Sequence, residues 1–189
     1  MIKAVIFDCF GVLVGDALPQ FVQTHLSQSP ELVAEAWKSD DRTNLGKISE
    51  HEHFVLLGKL AGIPVQQVIR ELDANAPNQP LFDYIRAELK PRYKLAILSN
   101  IHADILDELI GKENRALFDA EALSYKLGVV KPSPEIYQMA AEMLEVEPKE
   151  CVFIDDKQHY CAAAEEVGMK AIHYASFEQC KRELQELLR

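Results

Sequence analysis

Short blocks of apolar, β-prone residues, most of them stopped by polar side chains, set the limits on what this chain can fold into. They are Ala4-Val5-Ile6-Phe7 before Asp8, Lys94-Leu95-Ala96-Ile97-Leu98 before Ser99-Asn100, and Cys151-Val152-Phe153-Ile154 before Asp155-Asp156. Lys170-Ala171-Ile172-His173-Tyr174 is a fourth block, and Glu121-Ala122-Leu123-Ser124 a weaker fifth. Runs that are apolar without alternation suit parallel strands buried on both faces.

Helical patterns lie between these blocks. After Ser133-Pro134-Glu135, apolar residues fall at Ile136, Met139, Ala140, Met143 and Leu144, one face of a helix. Ser133 is placed to cap it, and Pro134 suits its first turn. Ile105, Leu106, Leu109 and Ile110 form a second stripe, stopped by Gly111. The last stripe is Phe177, Cys180, Leu184 and Leu187, preceded by Ser176 with Gln179 in a capping-box pattern. Strands alternating with helices imply βαβ units, hence an α/β fold with a doubly wound parallel sheet. Residues 16–76 break this rhythm. They are helical in pattern, punctuated at Ser29-Pro30, Gly46, Gly62-Ile63-Pro64 and Pro77. The expected organisation is a Rossmann-like core from 1–15 and 77–189, with 16–76 inserted as a helical cap.

Composition narrows the function classes. With 189 residues and 48% apolar content, the chain can bury a substantial core. A net charge of −10 argues against nonspecific binding to nucleic acid or an anionic membrane. An anionic substrate must therefore be drawn in by a local positive site. Cys9, Cys151, Cys161 and Cys180 form no C-x-x-C pair and no zinc spacing, which reads as reduced thiols in the cytoplasm. The apolar run at the start is too short for a signal peptide or a membrane span.

In open α/β sheets, ligands sit beyond the carboxyl ends of the strands. There Asp8, Ser99-Asn100 and Asp155-Asp156 would converge, joined by Lys131 from Val129-Val130-Lys131-Pro132. Carboxylates from two strand ends can hold Mg²⁺ through oxygen. The metal would offset phosphate charge and let an anionic nucleophile approach an anionic substrate. Lys131 can pair with both the nucleophile and a phosphate oxygen, and Ser99 can donate to another. A carboxylate can also act as a covalent nucleophile.

Taken in order, Asp8-Cys9-Phe10-Gly11-Val12, Leu98-Ser99-Asn100, Val130-Lys131-Pro132-Ser133-Pro134-Glu135-Ile136-Tyr137 and Phe153-Ile154-Asp155-Asp156 resemble the four motifs of the haloacid dehalogenase-like hydrolases of helical-cap type. Ala162-Ala163-Ala164 and Val167-Gly168-Met169 match the closing habit of that family. The resemblance implies that Asp8 forms an aspartyl-phosphate and that Ser99, Asn100 and Lys131 bind the transferring group. It implies Mg²⁺ held by Asp8, the Phe10 carbonyl, Asp155 and Asp156. It implies a cap that chooses a small phosphorylated metabolite, sugar-like or otherwise, in a monomer or homodimer.

The pattern departs from the family at Phe10, where its phosphatases carry an aspartate. That residue protonates the leaving oxygen and later activates water, help worth roughly 10²–10⁴-fold. Three readings fit. The chain is a phosphatase, slow or served by another acid such as Asp16, although Asp16 has a blander use as a helix cap. Or it is a 2-haloacid dehalogenase, since halide leaves without a proton; Asp155-Asp156 argues against that. Or it binds a phosphorylated ligand or partner without turnover. Tyr160 is a second departure, where an acidic residue or asparagine is common. The receiver fold of two-component signalling uses similar groups, but there the acidic pair closes the first strand; here it comes last.

Other polar residues have plain explanations. His51 and His53 would point roughly 200° apart on a helix, so both are expected at the surface. His102 could reach the rim. Arg42 is expected in a surface ion pair, and Trp37 in the core of the helical segment.

Overall fold

The computed structural model describes residues 1–73 and 75–189. Five strands, β1 (Ala4–Phe7), β2 (Lys94–Ser99), β3 (Ala120–Leu123), β4 (Cys151–Asp155) and β5 (Lys170–His173), form one parallel sheet in the order β3-β2-β1-β4-β5. All five fall on the apolar blocks. The order reverses beside β1, so the strand that carries Asp8 lies between β2 and β4.

Side chains alternate across the sheet, and both faces are covered. Val5, Phe7, Leu95, Ile97, Val152 and Ile154 enter one buried cluster, while Ala4, Ile6, Ala96, Leu98 and Phe153 enter the other. Neither face meets water, which is why the strands read as continuous apolar runs.

Four helices follow β1: α1 (Leu18–His25), α2 (Pro30–Asn44), α3 (Glu50–Ala61) and α4 (Val65–Leu72). Then come α5 (Gln79–Tyr84), α6 (Leu106–Ile110), α7 (Lys112–Arg115), α8 (Ser124–Leu127), α9 (Pro134–Met143), α10 (Gln158–Glu166) and α11 (Phe177–Leu187). Leu81, Phe82, Leu106, Cys180 and Leu184 from α5, α6 and α11 cover the first face of the sheet. Ile136, Tyr137, Ala140 and Ala164 from α9 and α10 cover the second.

Helices α1 to α4 bury their own cluster of Phe21, Val22, Leu26, Ala36, Leu57 and Val68. The punctuation residues set their ends. Ser29 Oγ accepts the Leu32 N–H at the start of α2. Ser49 and Glu52 close a reciprocal capping box on α3, and Gly62 ends it at φ 70°. The chain enters and leaves this helical module side by side. Gly15 N–H donates to Ala76 O at 3.1 Å, and Asn78 N–H to Leu13 O at 2.8 Å. Asn78 Nδ2 also donates to Val12 O at 2.9 Å.

Some local expectations need correction. Ser133 does not cap α9; its hydroxyl turns to the Glu135 carboxylate. Ser176 does cap α11, but Gln179 returns its bond to Ala175 N–H, one residue further out. His51 is exposed as expected, but His53 is buried, not at the surface. The α3 stripe places His53 against α2, where its Nδ1 meets Ser39 Oγ at 2.8 Å. Arg42 is exposed, and Trp37 is only partly buried.

Burial, helped by the nearby His102, pulls the His53 imidazole down to about 4. Its folded value thus lies below its unfolded value of about 6.5. The resulting stability is complete above pH 6.5 and is lost as pH falls through 4, at up to about 1.4 kcal/mol per pH unit. Thermal unfolding from pH 7 to pH 4 should show this slope in the wild type and a shallower one in His53→Gln. Equal slopes would rule out His53 as its source.

Candidate functional site

The site begins where β1 stops. Asp8 N–H still joins the sheet, donating to Ile154 O at 2.9 Å. Its side chain then leaves the sheet. Asp8 Oδ1 accepts the Cys9 N–H at 2.7 Å and lies 2.8 Å from Lys131 Nζ. Among the described residues no donor reaches Oδ2. Cys9 offers no rival nucleophile, because burial and the Asp8 charge push its thiol far above the usual range.

Lys131 is buried, with a side chain only 1% exposed. Its ammonium bridges Asp8 Oδ1 and Asp155 Oδ2, the latter at 2.5 Å. The rings of Tyr160 and Phe153 lie 4.7 and 5.5 Å from Nζ. Burial works against this charge, but the two carboxylates outweigh it and hold the lysine above its ordinary value. Asn100 sets the position of the lysine backbone. Its Oδ1 accepts Lys131 N–H at 2.7 Å and its Nδ2 donates to Lys131 O at 3.1 Å. Asn100 Nδ2 also reaches Tyr160 Oη at 3.4 Å. Tyr160 thus borders the lysine as an aromatic wall instead of an acid.

The two aspartates after β4 have different surroundings. Asp155 is fully buried and both its oxygens are engaged, Oδ2 with Lys131 and Oδ1 with the Lys157 N–H at 2.8 Å. Asp156 packs against Gly11. A Cβ at position 11 would stand 2.5 Å from Asp156 Cγ, and Gly11 also has φ +80°. Among the described residues, two buried side-chain atoms have no hydrogen-bond partner: Ser99 Oγ and Asp156 Oδ1. They belong to the ends of β2 and β4, the two strands that flank Asp8.

Asp8, Asp155 and Asp156 each bring an oxygen into one cluster, all within 4.8 Å of one another. Burial, then the Asp155 charge, pushes Asp8 up to about 6 against the pull of Lys131. Burial and Asp8 likewise raise Asp156. Three carboxylates around one buried lysine leave an excess of negative charge. The all-oxygen donor set and the unpartnered Asp156 oxygen fit a hard divalent cation.

Above this cluster lies a cavity of about 140 Å³. Asp8, Phe10, Ser99, Asn100 and Lys131 line its sheet side, while Trp37, Asp40 and Phe54 line it from α2 and α3. The structure brings Asp8, Ser99, Asn100 and Lys131 to one cavity, sets Asp155 and Asp156 beside Asp8, and places His102 at the rim. His102 Nε2 lies 3.5 Å from Glu50 Oε1 on the helical module. Lys157 and Asp40 were missed. Lys157 Nζ lies 4.0 Å from Asp16 Oδ2 and 6.0 Å from the Trp37 ring centre, so it spans from the core to the module. A lysine directly after Asp155-Asp156 was a visible signal. Asp40 carried none, because only the packing of α2 turns it inward.

Residues 2–168 match the family model of the haloacid dehalogenase-like hydrolases. The chain is 27% identical to the sesquiterpene phosphatase astK of Aspergillus oryzae, over 98% of this chain and 96% of that protein. It is 26% identical to the D-ribitol-5-phosphate phosphatase of Bacteroides thetaiotaomicron, over 100% and 99% of the two chains. A haloacid dehalogenase-like enzyme of B. thetaiotaomicron, solved with magnesium and inorganic phosphate, shares the fold at a TM-score of 0.69. It is 22% identical, with full coverage of both chains.

Stability should separate the two kinds of polar group in the site. Ser99→Ala removes a buried hydroxyl without a partner and should leave the melting temperature unchanged or slightly higher. Lys131→Met leaves Asp8 and Asp155 buried and uncompensated, and should cost about 3–5 kcal/mol at pH 7. Denaturant unfolding of both variants checks the contrast.

Proposed function

Because the chain belongs to the haloacid dehalogenase-like hydrolase family, we propose that it is a Mg²⁺-dependent phosphatase that hydrolyses a small phosphorylated metabolite through an aspartyl-phosphate at Asp8. The observation that carries this reading is the pair of unpartnered buried atoms on the strands flanking Asp8. Ser99 Oγ is a hydroxyl that can donate to an anion, and Asp156 Oδ1 is an acceptor that can bind a cation. A phosphate monoester with a divalent metal satisfies both.

The residues divide the work. Ser99 and Lys131 hold phosphoryl oxygens, and Asn100 fixes Lys131. Asp8 Oδ2 attacks phosphorus as the bond to the leaving alcohol breaks. Water then attacks the aspartyl-phosphate, which releases inorganic phosphate and restores Asp8. Asp8, Asp156 and the Phe10 carbonyl would hold Mg²⁺, with Asp155 behind them orienting Lys131. The bound metal supplies charge neutralisation for the approach of two anions. The Phe10 side chain cannot donate a proton, so the proton for the leaving alcohol must come from elsewhere.

Helices α1 to α4 serve as the cap, within the segment 16–76, and the cavity between cap and core sets substrate size. About 140 Å³, roughly the space a benzene ring fills, must hold the phosphate and at least part of the leaving group together. That favours a compact polyol-like or sugar-like leaving group, closer to ribitol 5-phosphate than to a sesquiterpene. Asp40, Asn44 and Asn75 on the walls suit its hydroxyls. The excess negative charge of the carboxylate cluster disfavours a haloacid bound without metal. Four buried, unpaired cysteines support a reducing compartment such as the cytoplasm. Among the described residues no helix is long and apolar enough to cross a membrane.

A phosphate-release screen over sugar, polyol and aryl phosphates tests the reading. Turnover is expected with Mg²⁺ and not with a chelator. Asp8→Asn should lower it on the order of 10³-fold or more. An Asp8→Asn protein as active as the wild type would remove Asp8 as nucleophile. Phosphate binding without turnover across the panel would make the chain a silent binder.

A further inference from the structure

Asp16 has two oxygens in two different situations. Oδ1 accepts the Leu18 N–H at 3.2 Å, the helix-start bond expected of a capping aspartate. Oδ2 lies 4.0 Å from Lys157 Nζ, and among the described residues it accepts no hydrogen bond. The side chain is 16% exposed and lines the same cavity as Asp8, Phe10, Ser99 and Lys131.

The backbone around Asp16 is fixed on both sides. Gly15 N–H is bonded to Ala76 O and Ala17 N–H to Asn75 Oδ1, at 3.1 Å each. Upstream, Gly11 N–H donates to Val14 O at 2.8 Å and Val14 N–H to Cys9 O at 3.0 Å. The segment from Asp8 to Asp16 is thus one folded loop, and it delivers both carboxylates to one cavity.

We infer that Asp16 is the proton donor and acceptor for the leaving group, the role that Phe10 cannot fill. The inference rests on the phosphatase reading above. As Asp8 Oδ2 bonds to phosphorus and the ester P–O bond breaks, the leaving oxygen takes the proton of Asp16. The product alcohol departs, and Asp16 remains a carboxylate facing Lys157. A water then gives its proton to Asp16 as its oxygen bonds to phosphorus. The Asp8–phosphorus bond breaks, and both aspartates return to their starting states.

The surroundings suit this cycle. Burial raises Asp16, with Asp8 adding to the effect, while Lys157 and the Leu18 N–H pull the other way. The net direction is upward, which makes the carboxyl a better proton carrier than an exposed aspartate, and Lys157 stabilises the carboxylate that forms. The other acids on the cavity wall are placed less well. Glu50 is held by His102 and half exposed. Asp40 rides on α2, and its Oδ2 already accepts a hydrogen bond from Asn44 Nδ2 at 3.1 Å. Asp8 and Asp156 both feel Lys157, and Asp156 feels Asp16.

The test is leaving-group dependence, compared through kcat/KM, which covers only the steps up to departure of the alcohol. An alkyl phosphate such as glycerol phosphate needs a proton donor, whereas p-nitrophenyl phosphate releases a phenolate that does not. Asp16→Asn keeps an acceptor for the Leu18 N–H. It should lower kcat/KM for the alkyl ester by about 10²-fold or more and for the aryl ester by less than about tenfold. Asp16→Ser, which also keeps an acceptor, should show the same split should the amide fold poorly. Asp40→Asn should lower the two esters to a similar degree. Equal losses on both esters in the folded Asp16 variants would overturn the inference while leaving the phosphatase reading intact. A split that follows Asp40 instead would do the same. Failure of the wild type to hydrolyse either ester would overturn both.

Discussion

A lysine sealed from water between two aspartates is the interaction on which the rest of this structure depends. Desolvating three charges is costly, and only close geometry recovers the cost. Lys131, Asp8 and Asp155 have that geometry because each sits on a constrained part of the backbone. Asp8 still bonds to Ile154 through its N–H, Asp155 is the last residue of β4, and the Asn100 amide grips both backbone polar groups of Lys131. The parallel order of the sheet is what brings these segments together. A slip of one residue in β1 or β4 would turn Asp8 or Asp155 to the opposite face and leave the buried ammonium with one carboxylate instead of two.

The helical module completes what the sheet begins. The strand ends alone give an open, charged rim. With α2 and α3 above it, the rim becomes a small cavity with Trp37 and Phe54 on its far wall. Lower exposure to water strengthens each electrostatic contact inside. Polar contacts join the two parts: His102 with Glu50, Lys157 with Asp16 and the Trp37 ring, and Ser124 Oγ with Asn44 O at 3.2 Å. Each module keeps its own apolar cluster, so the surfaces that meet at the cavity are free to carry chemistry instead of core.

The strand-end groups were legible in the sequence because burial on both sheet faces leaves an unbroken apolar run, and its end is conspicuous. Asp8, Ser99 and Asp155-Asp156 are found by that rule alone, whereas Lys131 ends no strand and lies between α8 and α9. The helical module was legible as helices with stops, since Gly62 and Ser29 act within a few residues of themselves. What faces the cavity from that module was not. Asp40, Trp37 and His53 lie on helices whose orientation is set by contacts between α2, α3 and the core, and one-dimensional periodicity does not say which partner a stripe will meet. His53 shows the limit clearly: next to exposed Glu52 and two residues from exposed His51, it is nonetheless enclosed by Ser39 and its neighbours. The difference between Asp155 and Asp156 was equally hidden. Adjacent acids look equivalent in a string, but strand alternation sends one under the lysine and leaves the other beside Gly11.

Gly11 gives the site an asymmetry of its own. Its missing side chain is the space in which the Asp156 carboxyl stands. The Lys131 ion pairs occupy other space and do not depend on it. Position 11 therefore separates two properties that elsewhere in the site are bound together. A methyl group there would evict the Asp156 carboxyl and strain one turn, while Asp8 and Lys131 kept their contacts. The chain's freedom to vary at this residue is set by the volume of a neighbour's carboxyl group, not by its own contribution to the chemistry.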